Sequence, residues 1–93
     1  MTKINSRFKS VWDALEDDPE KIADLKMRSQ LLIHIAEKIK AEKLTQQAAA
    51  RRLRITQPRV NALLNGKIEN FRIGTLITLA NRLGLHVSLK IAV

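Results

Sequence analysis

The sequence predicts a mainly α-helical domain of about five helices closed by a C-terminal β-strand. Apolar residues recur at three- and four-residue spacing through most of the chain. Within residues 44–66 two short helical stretches flank a tight break, and from Leu85 onward the apolar period shortens to two. Residues 1–18 read as an N-terminal arm and short helix, 19–84 as the helical body and 85–93 as the strand, all in a single domain.

The first nine residues carry Lys3, Arg7 and Lys9 with few signals of regular structure, as befits an arm. Ser10 can cap a short helix on which Phe8, Val11, Trp12 and Leu15 recur at helical spacing, and Asp17-Asp18-Pro19 ends it. Trp12 suits either burial against the domain or a protein-binding surface, and the residues do not choose.

Asp18-Pro19-Glu20 opens a long helix, with acidic side chains at its positive end and proline in the first turn. Its buried stripe is expected from Ile22, Leu25, Leu32, Ile35 or Ala36, and Ile39, with Ser29-Gln30 marking a bend or a fresh start. Lys38, Lys40 and Lys43 suit the negative end. His34, between apolar neighbours, is expected to be structural rather than a ligand or a base.

Thr45 is a good N-cap for the next helix, Gln46 to Leu53, because its hydroxyl accepts an otherwise orphaned backbone N–H. The pattern stops at Arg54-Ile55. Thr56 can cap a second short helix, Pro58 is tolerated in its first turn, and Gly66 suits the left-handed residue beyond its end. A helix, a turn of about three residues and a second helix form the helix-turn-helix unit, whose second member enters the DNA major groove.

That second helix sorts its side chains when wound at 3.6 residues per turn. Val60, Leu63 and Leu64 fall on one side, while Pro58, Arg59, Asn61, Ala62 and Asn65 cover the opposite arc and Gln57 stands at the exposed N-terminal end. Gln and Asn can pair with the N6 and N7 edge of adenine, Arg can fork onto guanine O6 and N7, and Pro58 or Ala62 can meet a thymine methyl. Any one of these residues fits the wet face of an ordinary surface helix; the combination favours readout by Gln57, Arg59 and Asn61.

Beyond Gly66, the loop Lys67-Ile68-Glu69-Asn70-Phe71-Arg72 offers cations and an amide beside the groove, and the next helix can hold a phosphate at its N-terminus. Phe71 and Ile73 are expected in the core, since duplex DNA presents no free base face. Ile73, Leu76, Ile77, Ala80 and Leu83 define the last helix, which Gly84 closes. Residues 85–93 then alternate, with Leu85, Val87, Leu89 and Ile91 on one side. A lone strand leaves its ladder groups unpaired. Antiparallel pairing with a second copy across a two-fold axis is the favoured remedy; augmentation of a partner's sheet, or pairing with residues 2–8, is the competitor.

The segment Leu44-Thr45-Gln46, Ala50, Thr56-Gln57, Val60 and Leu63 resembles the helix-turn-helix of the lambda-repressor/Cro-like, or XRE, regulators. The run from Thr56 to Lys67 is most similar to the HigA-type antitoxins and their toxin-less relatives, and the likeness extends from about Val11 to the C-terminus. The resemblance implies a lambda-repressor-like bundle and a repressor of its own operon, with a RelE-like toxin as partner, contacted by peripheral segments. It also implies that Gln46 grips a phosphate. Asn65, Lys67 and Arg72 are assigned the same task, and Thr56 combines capping with phosphate contact. Arg54 departs from the pattern, because glycine usually fills that turn position. It must take a positive φ or force a different turn.

Charge supports this assignment. Residues 1–42 carry eight Lys and Arg against eight Asp and Glu, whereas residues 43–93 carry nine against one, so the whole net charge of +8 lies in and after the helix-turn-helix. Cations gathered around a groove-reading helix point to phosphate neutralisation, with Arg51 and Arg52 as long-range helpers. The absence of cysteine removes disulfides, thiolate metal sites and a cysteine nucleophile, and fits a reducing compartment. No apolar run nears the roughly 20 residues that span a bilayer, and the N-terminus lacks the apolar centre of a signal peptide. A cytoplasmic protein is therefore expected, with no membrane partner. No spacing suggests a catalytic set, a Gly-rich phosphate loop or a metal cluster, so neither an enzyme nor a cofactor is expected.

Overall fold

In the computed structural model, residues 18–93 are described. The expected N-terminal arm and short helix, Trp12 included, lie outside them. The elements in order are α1 (Pro19–Ala41), α2 (Gln46–Leu53), α3 (Gln57–Leu64), a 3-10 turn (Ile68–Asn70) and α4 (Ile73–Arg82). The described residues therefore form an all-helical bundle with four α-helices.

The first three helices start where the sequence supplies a side-chain acceptor for a free N–H group. Asp18 accepts from the Lys21 N–H at 3.2 Å, Thr45 from Ala48 at 3.0 Å and Thr56 from Arg59 at 3.3 Å. Pro19 and Pro58 both lie in a first turn, where the missing N–H costs nothing. α1 is continuous through Ser29-Gln30, without the expected bend or restart; the Ser29 hydroxyl donates to the Leu25 carbonyl at 2.7 Å and so buries its polarity within the helix.

All four helices end alike. Lys43, Arg54, Gly66 and Gly84 take left-handed conformations, with φ of 53°, 60°, 73° and 81°. The N–H of the following residue reaches back five positions in each case: Leu44 to Ile39, Ile55 to Ala50, Lys67 to Ala62 and Leu85 to Ala80, at 3.0–3.1 Å. Arg54 thus resolves its conflict by accepting the positive φ.

α1 packs chiefly on α4, and α2 on α3. Leu32 and Ile35 of α1, Leu53 of α2, Val60 and Leu63 of α3 and Leu76 of α4 are all 0 % exposed and meet in one core. Removing each from water contributes about 1.5–3 kcal/mol. Ile22 is only half-buried and His34 is exposed, so the stripe begins at Leu25 and His34 is not enclosed by its apolar neighbours. Phe71, 1 % exposed, fills the space between the 3-10 turn and α4.

The expected β-strand over residues 85–93 is not present within the chain. Leu85 belongs to the closing turn of α4 and packs, half-buried, on the core. Residues 86–93 lie in no element, and Leu89 and Ile91 are 74 % and 80 % exposed. The physical reason is pairing: the described residues of one chain contain no other strand, so a ladder has nothing to form against.

Candidate nucleic-acid interface

α3 is short, but its placement is strongly determined. Val60 and Leu63 anchor one side of it in the core, which turns Gln57, Pro58, Arg59 and Asn61 to solvent. Ala62, expected on the outer arc, is half-buried against the core, and Leu64 is half-buried too. The outward face is therefore narrower than the helical wheel suggests, and is made of Gln57, Pro58, Arg59 and Asn61 with Asn65 at its end.

Two of these side chains have intramolecular contacts. The Asn65 amide donates to Asn61 Oδ1 at 2.8 Å, one turn back along the helix axis. A carbonyl oxygen carries two lone pairs, so Asn61 can still accept from a base while its own NH2 donates. The Arg59 guanidinium lies over the Phe71 ring, 4.6 Å from the centroid. Phe71 is thus a core residue with a ring face covered by Arg59 of the exposed side of α3.

Around α3 the charge is almost entirely positive. Arg54, Lys67 and Arg72 are exposed on the segments that flank α3, Arg51 is exposed on α2, and Gln46 is exposed at the first residue of α2. Arg72 holds the N-cap position of α4 without a side-chain bond to it, as a donor-only guanidinium must. Thr56 is exposed and engaged as the cap of α3. The structure thus brings Thr56, Gln57, Arg59, Asn61 and Asn65 together on α3 and its caps, with Lys67 and Arg72 on the segment that follows and Gln46 on the preceding helix. Leu85, Val87, Leu89 and Ile91 lie apart from this set, on the C-terminal tail.

Arg52 is not a free cation. It donates to Glu42 at 2.9 Å, and Lys38 approaches the other oxygen of the same carboxylate at 3.0 Å. The hydrogen bonds from Lys38 and Arg52 hold the Glu42 carboxyl below its ordinary pKa of 4.5. Arg52 therefore ties α2 to the end of α1.

Two arginines missed by sequence reasoning support the interface from behind. Arg82 of α4 donates to the Leu53 carbonyl at 2.7 Å, satisfying the end of α2 at the turn that leads into α3. Arg28 of α1 donates to the Phe71 carbonyl at 3.2 Å and is itself held by Asp24. The i, i+4 spacing of Asp24 and Arg28 is legible in the sequence. Nothing local signals that Arg82 reaches a carbonyl 29 positions away.

Among the described residues no helix is long and apolar enough to cross a membrane, and no group of three His, Cys, Asp or Glu is placed to hold a metal. A family model described as a helix-turn-helix domain matches residues 14–92. No curated protein matches the chain.

Proposed function

Because the chain belongs to the helix-turn-helix domain family, we propose that it is a sequence-specific transcriptional repressor that reads a palindromic operator as a homodimer. The observation that carries this reading is the sidedness of α3. Val60 and Leu63 are buried at 0 % exposure, while Gln57, Arg59 and Asn61 stand out into a surface bearing Arg51, Arg54, Lys67 and Arg72. A slender helix with amides and a guanidinium on its free face matches the major groove, and the cations around it match the phosphates on either side.

In this mechanism Gln57, Arg59 and Asn61 read base edges. Thr56, Gln46, Asn65, Lys67 and Arg72 fix the register through phosphates. Occupation of a promoter excludes polymerase, which makes the outcome repression in the cytoplasm. No catalysis, cofactor or metal enters. Exposed Leu89 and Ile91, with Val87 beside them, support the second copy: antiparallel pairing of two tails pairs the ladder groups of both and removes apolar surface from water. Two α3 helices about 34 Å apart then address successive major grooves.

The test uses duplexes selected from a randomised library by the wild-type protein. Arg59→Ala is expected to lose about 1–3 kcal/mol on the selected duplex and to relax preference at one base pair; Lys67→Ala is expected to weaken selected and random duplex alike and flatten the salt slope by about one unit. Equal loss on both duplexes for Arg59→Ala removes Arg59 from base readout. Sedimentation of the protein lacking residues 86–93 addresses the dimer: the truncated protein is expected to be monomeric, and an unchanged dimer overturns the pairing.

A second reading, an antitoxin that also neutralises a RelE-like toxin, is favoured by a groove of about 800 Å3 between α1, α4 and the tail, lined by Met27, Leu31, Ile77 and Leu89 among others. Its apolar walls lie away from α3, so a protein partner there leaves the reading helix free. Co-purification with the product of an adjacent reading frame is the expected result.

A further inference from the structure

The contact between Arg59 and Phe71 is what the DNA-reading account does not use. We propose that Phe71 is a positioning residue for Arg59: its ring holds the guanidinium at one place on the α3 face before DNA arrives, and burial together with the Arg28 bond to its carbonyl holds Phe71 in place. This rests on Arg59 being a base reader, as proposed above.

Three features carry it. The guanidinium carbon lies over the ring, 4.6 Å from its centroid, within reach of the negative face of the ring. A phenyl ring has no nitrogen or oxygen acceptor, so the contact engages the positive charge and leaves the guanidinium N–H donors for a forked contact with guanine O6 and N7. Phe71 is itself immobilised, being 1 % exposed with its carbonyl bonded to Arg28 at 3.2 Å, and Arg28 in turn is anchored by Asp24. A long, flexible cation on an exposed helix otherwise loses its rotamer freedom on reaching a base. Holding it beforehand moves that loss into folding, where the core residue bears it.

The consequence is directional. Losing the ring removes an interaction that in an exposed setting corresponds to about two- to fivefold in affinity. The loss falls on the duplex whose base Arg59 reads, whereas binding to random duplex depends on charge, which the substitution leaves intact.

The experiment compares wild type, Phe71→Leu, Arg28→Gln and Arg59→Ala, each shown folded by its amide NMR spectrum, in selection from a randomised duplex library and in titration of the selected duplex. Phe71→Leu is expected to weaken the selected duplex about two- to fivefold, to soften preference at the base pair that Arg59→Ala abolishes, and to remove the ring-current displacement of the Arg59 side-chain resonances. Arg28→Gln, which keeps the ring but frees its carbonyl, is expected to soften the same base pair less; it decides the matter alone if Phe71→Leu does not fold. Unchanged preference at that base pair in the folded variants overturns the proposal while leaving Arg59 as a reader, and so does tighter binding by Phe71→Leu, which would mean that the ring parks Arg59 away from the groove. If Arg59→Ala itself alters no base preference, the reading beneath it fails instead.

Discussion

The two turns that bracket α3 close with the same backbone bonds and opposite residues. Before α3, Arg54 adopts φ 60° and Ile55 bonds back to Ala50; after it, Gly66 adopts φ 73° and Lys67 bonds back to Ala62. Glycine takes this conformation freely, while a side chain there costs about 1–2 kcal/mol. The leading turn is strained in a way the trailing turn is not. It is also the turn with external support, because Arg82 donates to the Leu53 carbonyl immediately before Arg54. Gly66 is buried, whereas Arg54 is exposed and projects a cation from the turn that leads into α3. The difference teaches that the strained residue stands where a side chain reaches solvent beside α3 and adds positive charge there, and the relaxed one where the chain is buried and only backbone shape matters.

The comparison breaks most visibly at its support. Arg82→Met keeps the apolar stem and removes the donor, leaving the Leu53 carbonyl without its partner. Urea unfolding is expected to register a loss of about 1.5–3 kcal/mol. A loss well below that range would mean that the strained turn stands without α4.

Exchange of the turn residues comes next. Gly66→Ala is expected to cost about 1–2 kcal/mol in the same measurement. Arg54→Gly is expected to gain roughly 0.5–1 kcal/mol, the relieved strain less the added chain entropy, and to weaken duplex binding while reducing its salt dependence. Were both variants to shift stability in the same direction, the two turns would not differ in the manner described.

The smallest effect sharpens the contrast at the ion pairs that tie α2 to the end of α1. Glu42, bonded by Lys38 and Arg52, has a folded-state pKa below the ordinary value of 4.5. Its contribution is therefore present above that value and is lost as pH falls through the folded pKa. Thermal melts of wild type and Glu42→Gln are expected to diverge slightly near neutrality and to converge under acid. Parallel melts across that range would show the ion pairs to be inconsequential.

Much of the helical body was legible in the sequence because helix boundaries are local chemistry. Thr45, Thr56, Pro58, Gly66 and Gly84 each name the start or end of a helix by what their own backbone or side chain can do within a few residues. Lys43 was not read as a left-handed residue, since nothing in its side chain prefers that conformation; the five-residue bond from Leu44 and the packing of Leu44 on the core stabilise it. A helical wheel places Ala62 outside because it treats α3 as lying on one flat neighbour, whereas Ala62 and Leu64 both pack, half-buried, against the core beside Val60 and Leu63. Arg52 looked like a free cation because its partner, Glu42, lies ten positions away across a turn. The alternation of the tail predicts a strand, yet alternation states only which side of a ladder is apolar. A ladder also needs a second strand.

By itself, then, the order of residues determined where the helices begin and stop, which face of α3 is anchored, and that the cations gather in the latter part of the chain, because caps, periodicity and charge act over a turn or two. Only the tertiary structure decided that Arg82 seals the turn before α3, that Arg59 rests on Phe71 and that Arg28 bonds the Phe71 carbonyl. Those contacts join residues far apart in the chain, and only the packing of α1 and α4 behind the helix-turn-helix brings them within reach.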